Sequence, residues 1–203
     1  MTLRADFVTV YHNDGNYDQH KHLRATLVQH EPAGGYTFIG VDNRRNNRGF
    51  AGGCNAGAFT DGATAPIIGF LNPDATIAGP FLDAVTATLV APVVITGCRF
   101  GKPAAELRSW GVKDWVCGAA MFVSRSWFTS VGGFDAQFVW GWEETDLIRQ
   151  AEAQDLQCRS IALPIQHESP AQNSVQDTRF KHYHFNRGAE RFRRKWPRMS
   201  RVR

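Results

Sequence analysis

Three acids, Glu143, Glu144 and Asp146, stand within four positions directly after Trp140-Gly141-Trp142. Like charges this close cost free energy unless solvent, a cation or a proton relieves them. One use for them is a helix start, where the macrodipole favours carboxylates in the first turn. The other is proton transfer. A free glutamate, with a pKa of about 4.3, is a weak base, and partial burial beside other carboxylates makes it a stronger one. A second oxygen-bearing group, Asn72-Pro73-Asp74, follows the apolar run Ile67–Leu71. Its proline stiffens the turn and removes a donor, which suits a carboxylate held out to a hard cation that already carries phosphate oxygens. The ordinary use of such a triplet is a turn. His167 closes the run "RSIALPIQH". Alone it reads as a solvated loop residue; with Asp74 it completes a mixed nitrogen–oxygen set suited to Mn²⁺ or Mg²⁺, the other ligands being phosphate and water.

The elements that must position these groups alternate. Strands are expected at "DFVTVY", Tyr36–Val41, Ile67–Leu71 and "APVVITG", with helical spacing between them, as at Leu23 and Leu27. This pattern predicts an α/β fold with a mostly parallel central sheet flanked by helices. His12-Asn13-Asp14, Asp42-Asn43 and Asn72-Pro73-Asp74 then end three strands on one edge, where open α/β sheets bind ligands. The Gly- and Asn-rich stretch from Asn43 to Cys54 lets backbone amides approach a phosphate. It is neither GxGxxG nor a Walker loop, so a Rossmann dehydrogenase and a P-loop enzyme are both unsupported. In the second half, "WVCGAAMFVS" and "QCRSIALP" read as strands and "EETDLIRQAEAQ" as a helix. "IQHESP" reads as a loop and "KPAAELRSWGVKDW" as irregular.

With 203 residues, 43% of them hydrophobic, the chain can bury one sizeable core. It has no run of about 18 apolar residues to cross a membrane, and the start turns polar by Tyr11, unlike a signal peptide. Four scattered cysteines without a CxxC point to reduced thiols and a cytoplasmic location, with peripheral membrane attachment as an extension. Charge is unevenly placed. Residues 179–203 hold ten Lys/Arg and one acid, Glu190, whereas the rest holds 13 basic and 18 acidic side chains. Such a tail fits either contact with a polyanion, nucleic acid or anionic lipid, or a solvated helix. Phe180, Tyr183, His184, Phe192 and Trp196 form an aromatic seam expected to pack on the body.

"VDNRRNNRGFAGGCNAGA", "FLNPDATI", "WVCGAAMFVSRSWFTSVGGFDAQF", "WEETDLIRQAEAQDLQC" and "LPIQH" occur in that order. Together they resemble the inverting family 2 glycosyltransferases of GT-A fold, especially the rhamnosyltransferase-like branch, over about residues 36–170. The matching positions are Asn47, Gly49, Phe50, Ala51 and Asn55; Leu71, Asn72 and Asp74; Gly132, Gly133, Phe134 and Asp135; and Glu143, Glu144, Asp146, Leu147 and His167.

The resemblance implies a nucleotide-diphosphate sugar donor, of UDP or dTDP type, bound across the first-half strand ends. Asn72-x-Asp74 stands at the family's Asp-x-Asp motif. It further implies that Asp74 and His167 hold the divalent ion, Mn²⁺ or Mg²⁺, and that Asp42, or alternatively Asp14, meets the nucleobase. Asn43, Asn47, Gly49, Phe50, Asn55 and Asn72 complete the donor side. Glu144, with Glu143 as second choice, is the general base, and Asp146 orients or caps. Trp140 and Trp142 offer aromatic faces to a sugar, with a core role an equal alternative for one of them, and Trp115 and Asp135 are weaker acceptor- or donor-side candidates.

The acceptor is left open among a glycan, a protein and modified nucleic acid. The expected division is 1–100 for nucleotide-sugar binding, 101–178 for acceptor and catalysis, and 179–203 as a basic helical tail. The alternative is an inactive sugar-nucleotide fold that binds nucleic acid or phospholipid through this tail. One departure is that "GVDN" runs almost directly into "NNRGF". Either a strand–helix unit has been lost and its strands merged, or the first strand is missing; both leave a compact N-terminal half.

Overall fold

The computed structural model describes residues 3–100, 112–167 and 175–197. In chain order these form β1 (Ala5–Tyr11), α1 (Asp14–His30), β2 (Tyr36–Asp42), α2 (Gly49–Ala58), β3 (Ile67–Leu71), β4 (Ala75–Ile77), α3 (Leu82–Thr88), β5 (Val93–Gly97), β6 (Ala120–Ser124), α4 (Arg125–Ser130), α5 (Glu143–Glu152), β7 (Gln157–Ser160), β8 (Ile165–His167) and α6 (Val175–Lys195). Most of "KPAAELRSWGVKDW" lies outside the described residues.

Six strands form one sheet in the order β2-β1-β3-β6-β5-β7, and β4 and β8 form a second. Within the large sheet only β6 runs against its neighbours. The expected mostly parallel sheet is therefore present. β1, β3 and β5 are buried along their whole length, as strands covered on both faces must be. One face packs Val8, Val10 and Phe70 against Cys54, Phe128, Leu147 and Ile148 of α2, α4 and α5. The other packs Phe7 and Phe122 against Leu23, Leu27, Leu82 and Val85 of α1 and α3. Gly69 of β3 makes that second layer fit, since a Cβ there would lie 2.5 Å from Phe7 Cδ1 and 2.9 Å from Phe122 Cδ1.

β1 and β2 pair in parallel from Ala5–Tyr36 to Tyr11–Asp42, α1 joins them, and residues 43–48 lead straight into α2. The stretch read as a loop, "IQHESP", begins with a strand: β8 pairs antiparallel with β4, with His167 opposite Ala75. At three residues, two of them polar, β8 is too short to show an alternating pattern.

Two buried carboxylates staple the layers. Glu31, beyond the end of α1, accepts from the backbone N–H groups of Phe81 (2.6 Å) and Leu82 (2.9 Å), and so caps α3 from a distance. Asp6 in β1 is fully buried and accepts from Arg125 Nη2 at 2.7 Å and from the Ala65 N–H at 2.9 Å. Removing one partner of a buried pair leaves an uncompensated charge, which costs about 3–5 kcal/mol. Arg125→Met is therefore expected to destabilise the chain by about that much, measured by urea denaturation.

Candidate active site

The carboxyl edge of the sheet gathers the polar strand ends. β1 has β2 on one side and β3 on the other, and α1 and α2 cover opposite faces. The crevice beyond β1 and β3 is thus a topological switch point, the usual ligand position in an open α/β sheet. Asn13 and Asn72 flank it. Asn13 caps α1, its Oδ1 accepting from the Asn16 N–H at 2.8 Å. Asn72 opens a turn whose closing bond runs from the Ala75 N–H to the Asn72 carbonyl at 3.0 Å, with Pro73 at its second position.

That turn presents Asp74, and β8 brings His167 to it. Nε2 of His167 lies 3.2 Å from Asp74 Oδ1 and 3.3 Å from Asn72 Nδ2. The tautomer decides which neighbour Nε2 serves: protonated it faces Asp74 as a donor, unprotonated it accepts from Asn72 Nδ2. In the second case a ring-nitrogen lone pair faces the buried Asp74 Oδ1, an arrangement a cation relieves. Cis ligands of one octahedral cation at about 2.1 Å stand roughly 3 Å apart, so the pair fits a divalent ion. Among the described residues no group of three or more His, Cys, Asp or Glu could hold a metal.

Beside the crevice, Arg44 joins the two carboxylates that sequence offered as alternatives. Its Nη1 bonds Asp14 Oδ1 at 2.7 Å and its Nη2 bonds Asp42 Oδ2 at 2.6 Å. Its guanidinium lies over the rings of Tyr11 and Tyr17, 5.5 and 5.1 Å from their centroids. The side-chain bonds from Arg44, then its backbone N–H, hold the Asp42 carboxyl down to about 2.

The glycine- and asparagine-rich motif is a joint between the two halves. Asn47 Oδ1 accepts from the Gly49 N–H (2.9 Å), Asn43 Nδ2 donates to the Gly49 carbonyl (2.9 Å), and the Phe50 N–H donates to the Val139 carbonyl (3.2 Å). Asn55 clamps the Phe134 backbone on both sides, at 2.8 and 2.9 Å. The Gly132-Gly133 turn allows this close approach: Gly133 has φ of 81°, and a Cβ on it would lie 2.5 Å from Asn55 Oδ1. These contacts fix the loop that leads to the acids.

Glu143 and Glu144 open α5, each 7% exposed. A Cβ on Gly118 would lie 3.8 Å from the Cβ of Glu144 and 3.5 Å from the Phe50 ring, which sets Glu144 beside both. The preceding turn is strained. Gly141 has φ of 76°, and Trp142, a bulky side chain, has φ of 77°. A non-glycine residue held there costs about 1–3 kcal/mol and persists only where its surroundings over-determine it. Trp140 is 36% exposed, whereas Trp115 and Trp142 are buried.

Asp146 points to the C-terminal helix. Its carboxylate accepts from Lys195 Nζ (2.9 Å), Trp196 Nε1 (2.8 Å) and Gln150 Nε2 (2.8 Å). Asp135 accepts from Arg191 Nη2 (2.9 Å) and Lys195 Nζ (3.2 Å). Part of the basic tail is thus neutralised within the chain, an outcome neither reading of its charge contained. The seam that packs on Phe138 and Trp142 is Phe185, Ala189, Phe192 and Trp196, whereas Phe180 and Tyr183 are exposed.

No family model matches the chain, and no curated protein matches it in sequence. Solved structures do match in shape. GalNAc-T7 with UDP, GalNAc and Mn²⁺ superposes at a TM-score of 0.66 and 13% identity, covering 93% of this chain and 48% of that one. Mannosyl-3-phosphoglycerate synthase from Rubrobacter xylanophilus gives 0.58 and 12%, covering 99% and 77%. The chain has the GT-A fold. A mutant of Drosophila beta-1,4-galactosyltransferase 7 in complex with manganese, UDP-Gal and xylobiose gives 0.53 and 16%, covering 88% of this GT-A chain and 79% of its own. Among the described residues no helix is long and apolar enough to cross a membrane.

Two outcomes test this geometry. Gly49 has φ of 69° and a Cβ there would lie 2.6 Å from the Val139 carbonyl oxygen, so Gly49→Ala is expected to destabilise the chain by about 1–3 kcal/mol in urea titrations. Burial raises the Asp135 carboxyl, but bonds from Arg191, the Gln137 backbone and Lys195 outweigh burial and hold it below its ordinary value. Stability from a depressed carboxyl is present above its unfolded pKa of about 3.9 and is lost as pH falls through the folded value. Asp135→Asn should therefore lower the unfolding midpoint at neutral pH, by a margin that closes as both proteins are taken below about pH 4.

Proposed function

We propose that the chain is an inverting glycosyltransferase that moves a sugar from a nucleotide-diphosphate donor to an acceptor hydroxyl. One observation carries this reading: Asp74 and His167 meet at 3.2 Å at the carboxyl edge of the sheet, with no donor satisfying the buried Asp74 oxygen. Further support comes from the fold, which occurs in structures holding UDP sugars with manganese, and from the order of the five sequence motifs.

In this reading Asp74 and His167 hold Mn²⁺ or Mg²⁺ against the donor diphosphate. The cation supplies charge stabilisation for the departing nucleoside diphosphate. Asp42 or Asp14, with Arg44 between them, borders the nucleobase of a UDP- or dTDP-type donor. Asn43, Asn47, Gly49, Phe50 and Asn55 hold the donor-side loop, and Asn72 steadies His167. Glu144 takes the proton from the acceptor hydroxyl as its oxygen attacks C1. The new C1–O bond forms on the face opposite the breaking bond to the diphosphate, so the anomeric centre inverts. Glu143 is the second candidate for that proton. Trp140 offers an exposed aromatic face to an acceptor glycan, with Trp142, Trp115 and Asp135 as the further acceptor-side candidates. Residues 1–100 then serve the donor, 101–178 the acceptor and 179–203 the tail.

The test is a thermal-shift panel of nucleoside diphosphates with and without Mn²⁺. Stabilisation by UDP or dTDP that needs the metal is expected, and no shift with any nucleotide would sink the proposal. Glu144→Gln should abolish turnover and keep the nucleotide shift. Asp74→Asn should keep the fold and lose the metal-dependent part of that shift.

A further inference from the structure

The helix that opens on Glu143 and Glu144 packs Leu147 and Ile148 on the sheet core and is gripped at its start by α6, whose contacts fall on the preceding turn or the first coils of α5. Phe185 packs so close to Gly141 that a Cβ there would lie 2.8 Å from its ring. Gly188 plays the matching part on α6, since a Cβ on it would lie 3.0 Å from Trp142 Cδ1 and 3.2 Å from the Gly141 carbonyl oxygen. Phe185 and Phe192 pack tilted against the Trp142 ring, with centroids 5.5 and 5.2 Å away. Lys195 and Trp196 bond Asp146, one turn into α5, and Arg149 lies over the Trp196 ring at 5.2 Å. These α6 side chains form their own cluster with Phe138 and Trp142, apart from the two cores of the sheet.

We propose that α6 is a positioning element for the reaction: it holds the left-handed Trp142 turn and supplies, through Lys195, the counter-charge to the buried Asp146 in the first turn of α5, and so fixes the aim of Glu144. Lys195 and Gly188 are its positioning residues. The turn carries no side-chain cap bond from Trp142, whose ring is instead packed against Phe185 and Phe192 of α6. Asp146 is 1% exposed beside two carboxylates that are nearly as buried. Without a cation at Asp146 the cheapest relief is for the first turn of α5 to open toward water, which moves Glu144 and leaves the donor crevice between β1 and β3 untouched. The inference rests on the reading of Glu144 as the base.

The experiment follows release of nucleoside diphosphate from the donor sugar nucleotide, with Mn²⁺ and with water as acceptor, in wild type, Lys195→Met, Lys195→Arg, Gly188→Ala and Glu144→Gln. Lys195→Met and Gly188→Ala should each lower kcat at least tenfold, with donor KM and the metal-linked nucleotide shift changed less than twofold. Lys195→Arg, which keeps the charge, should recover most of the loss. Unchanged kcat in both variants would overturn the proposal. So would a parallel loss of donor binding, or a Lys195→Arg as slow as Lys195→Met, because a helix that only stabilises the fold predicts those. Full activity in Glu144→Gln, or a wild type that releases nothing from any donor, would instead remove the reading on which the proposal stands.

Discussion

A three-residue antiparallel pairing decides where Asp74 and His167 meet. β4 and β8 join Ala75 to His167 and Ile77 to Ile165, and so bring His167 beside Asn72, 95 positions away in sequence. Two strands this short are not stable alone; the body holds them. Ile77 and Ile165 are buried in the core on the α1 side of the sheet, the Ala78 N–H donates to the Pro164 carbonyl at 2.7 Å, and the Ile77 N–H donates to Thr26 Oγ1 of α1 at 3.2 Å. The Asn72-Pro73-Asp74 turn then has one direction to face. The close approach of Nε2 and Oδ1 follows from sheet register and core packing rather than from any bond between the two side chains.

The acids at the start of α5 are placed by a different logic. No strand carries them. They follow a loop held through the Phe50 amide, the two-sided clamp of Asn55 on Phe134, and the docking of α6 on Trp142 and Asp146. Glycines stand wherever two of these parts come closest. Gly49 meets Val139, Gly133 meets Asn55, and Gly188 meets Trp142. The Asp74–His167 pair, set in a sheet edge, and Glu144, set on a braced helix start, are separately supported. Substitutions in one half can therefore act on donor binding or on turnover without acting on both.

Much of the scaffold was legible from local pattern. "DFVTVY" and "IIGFL" are apolar runs of strand length bounded by polar turns, and both are buried strands. The carboxyl-edge clusters after them follow directly once the strands are parallel. β8 was not legible, because three residues reading Ile-Gln-His show no period and only pairing with β4 makes them a strand. The amides of Asn47 and Asn55 match a motif by spacing, yet spacing does not separate a side chain that binds a ligand from one that holds a backbone. Here both bond backbone groups of their own chain. The tail's charge misleads for the same reason. Ten cations spread over residues 179–203 suggest an outward-facing charge, and only the fold reveals that Arg191 and Lys195 turn inward to Asp135 and Asp146. Phe185 and Ala189 sit at helical spacing with Phe192 and Trp196, a periodicity that identifies the docked face better than aromatic content does.

The central claim is that Asp74 and His167 share one divalent cation with a bound nucleoside diphosphate. Anomalous diffraction at the manganese edge, from crystals grown with Mn²⁺ and the nucleoside diphosphate that stabilises the chain, reads this directly. The account predicts a single strong peak within coordination distance of Asp74 Oδ1, His167 Nε2 and a diphosphate oxygen. Nucleotide bound at the β1–β3 crevice with no manganese between these two side chains would contradict it.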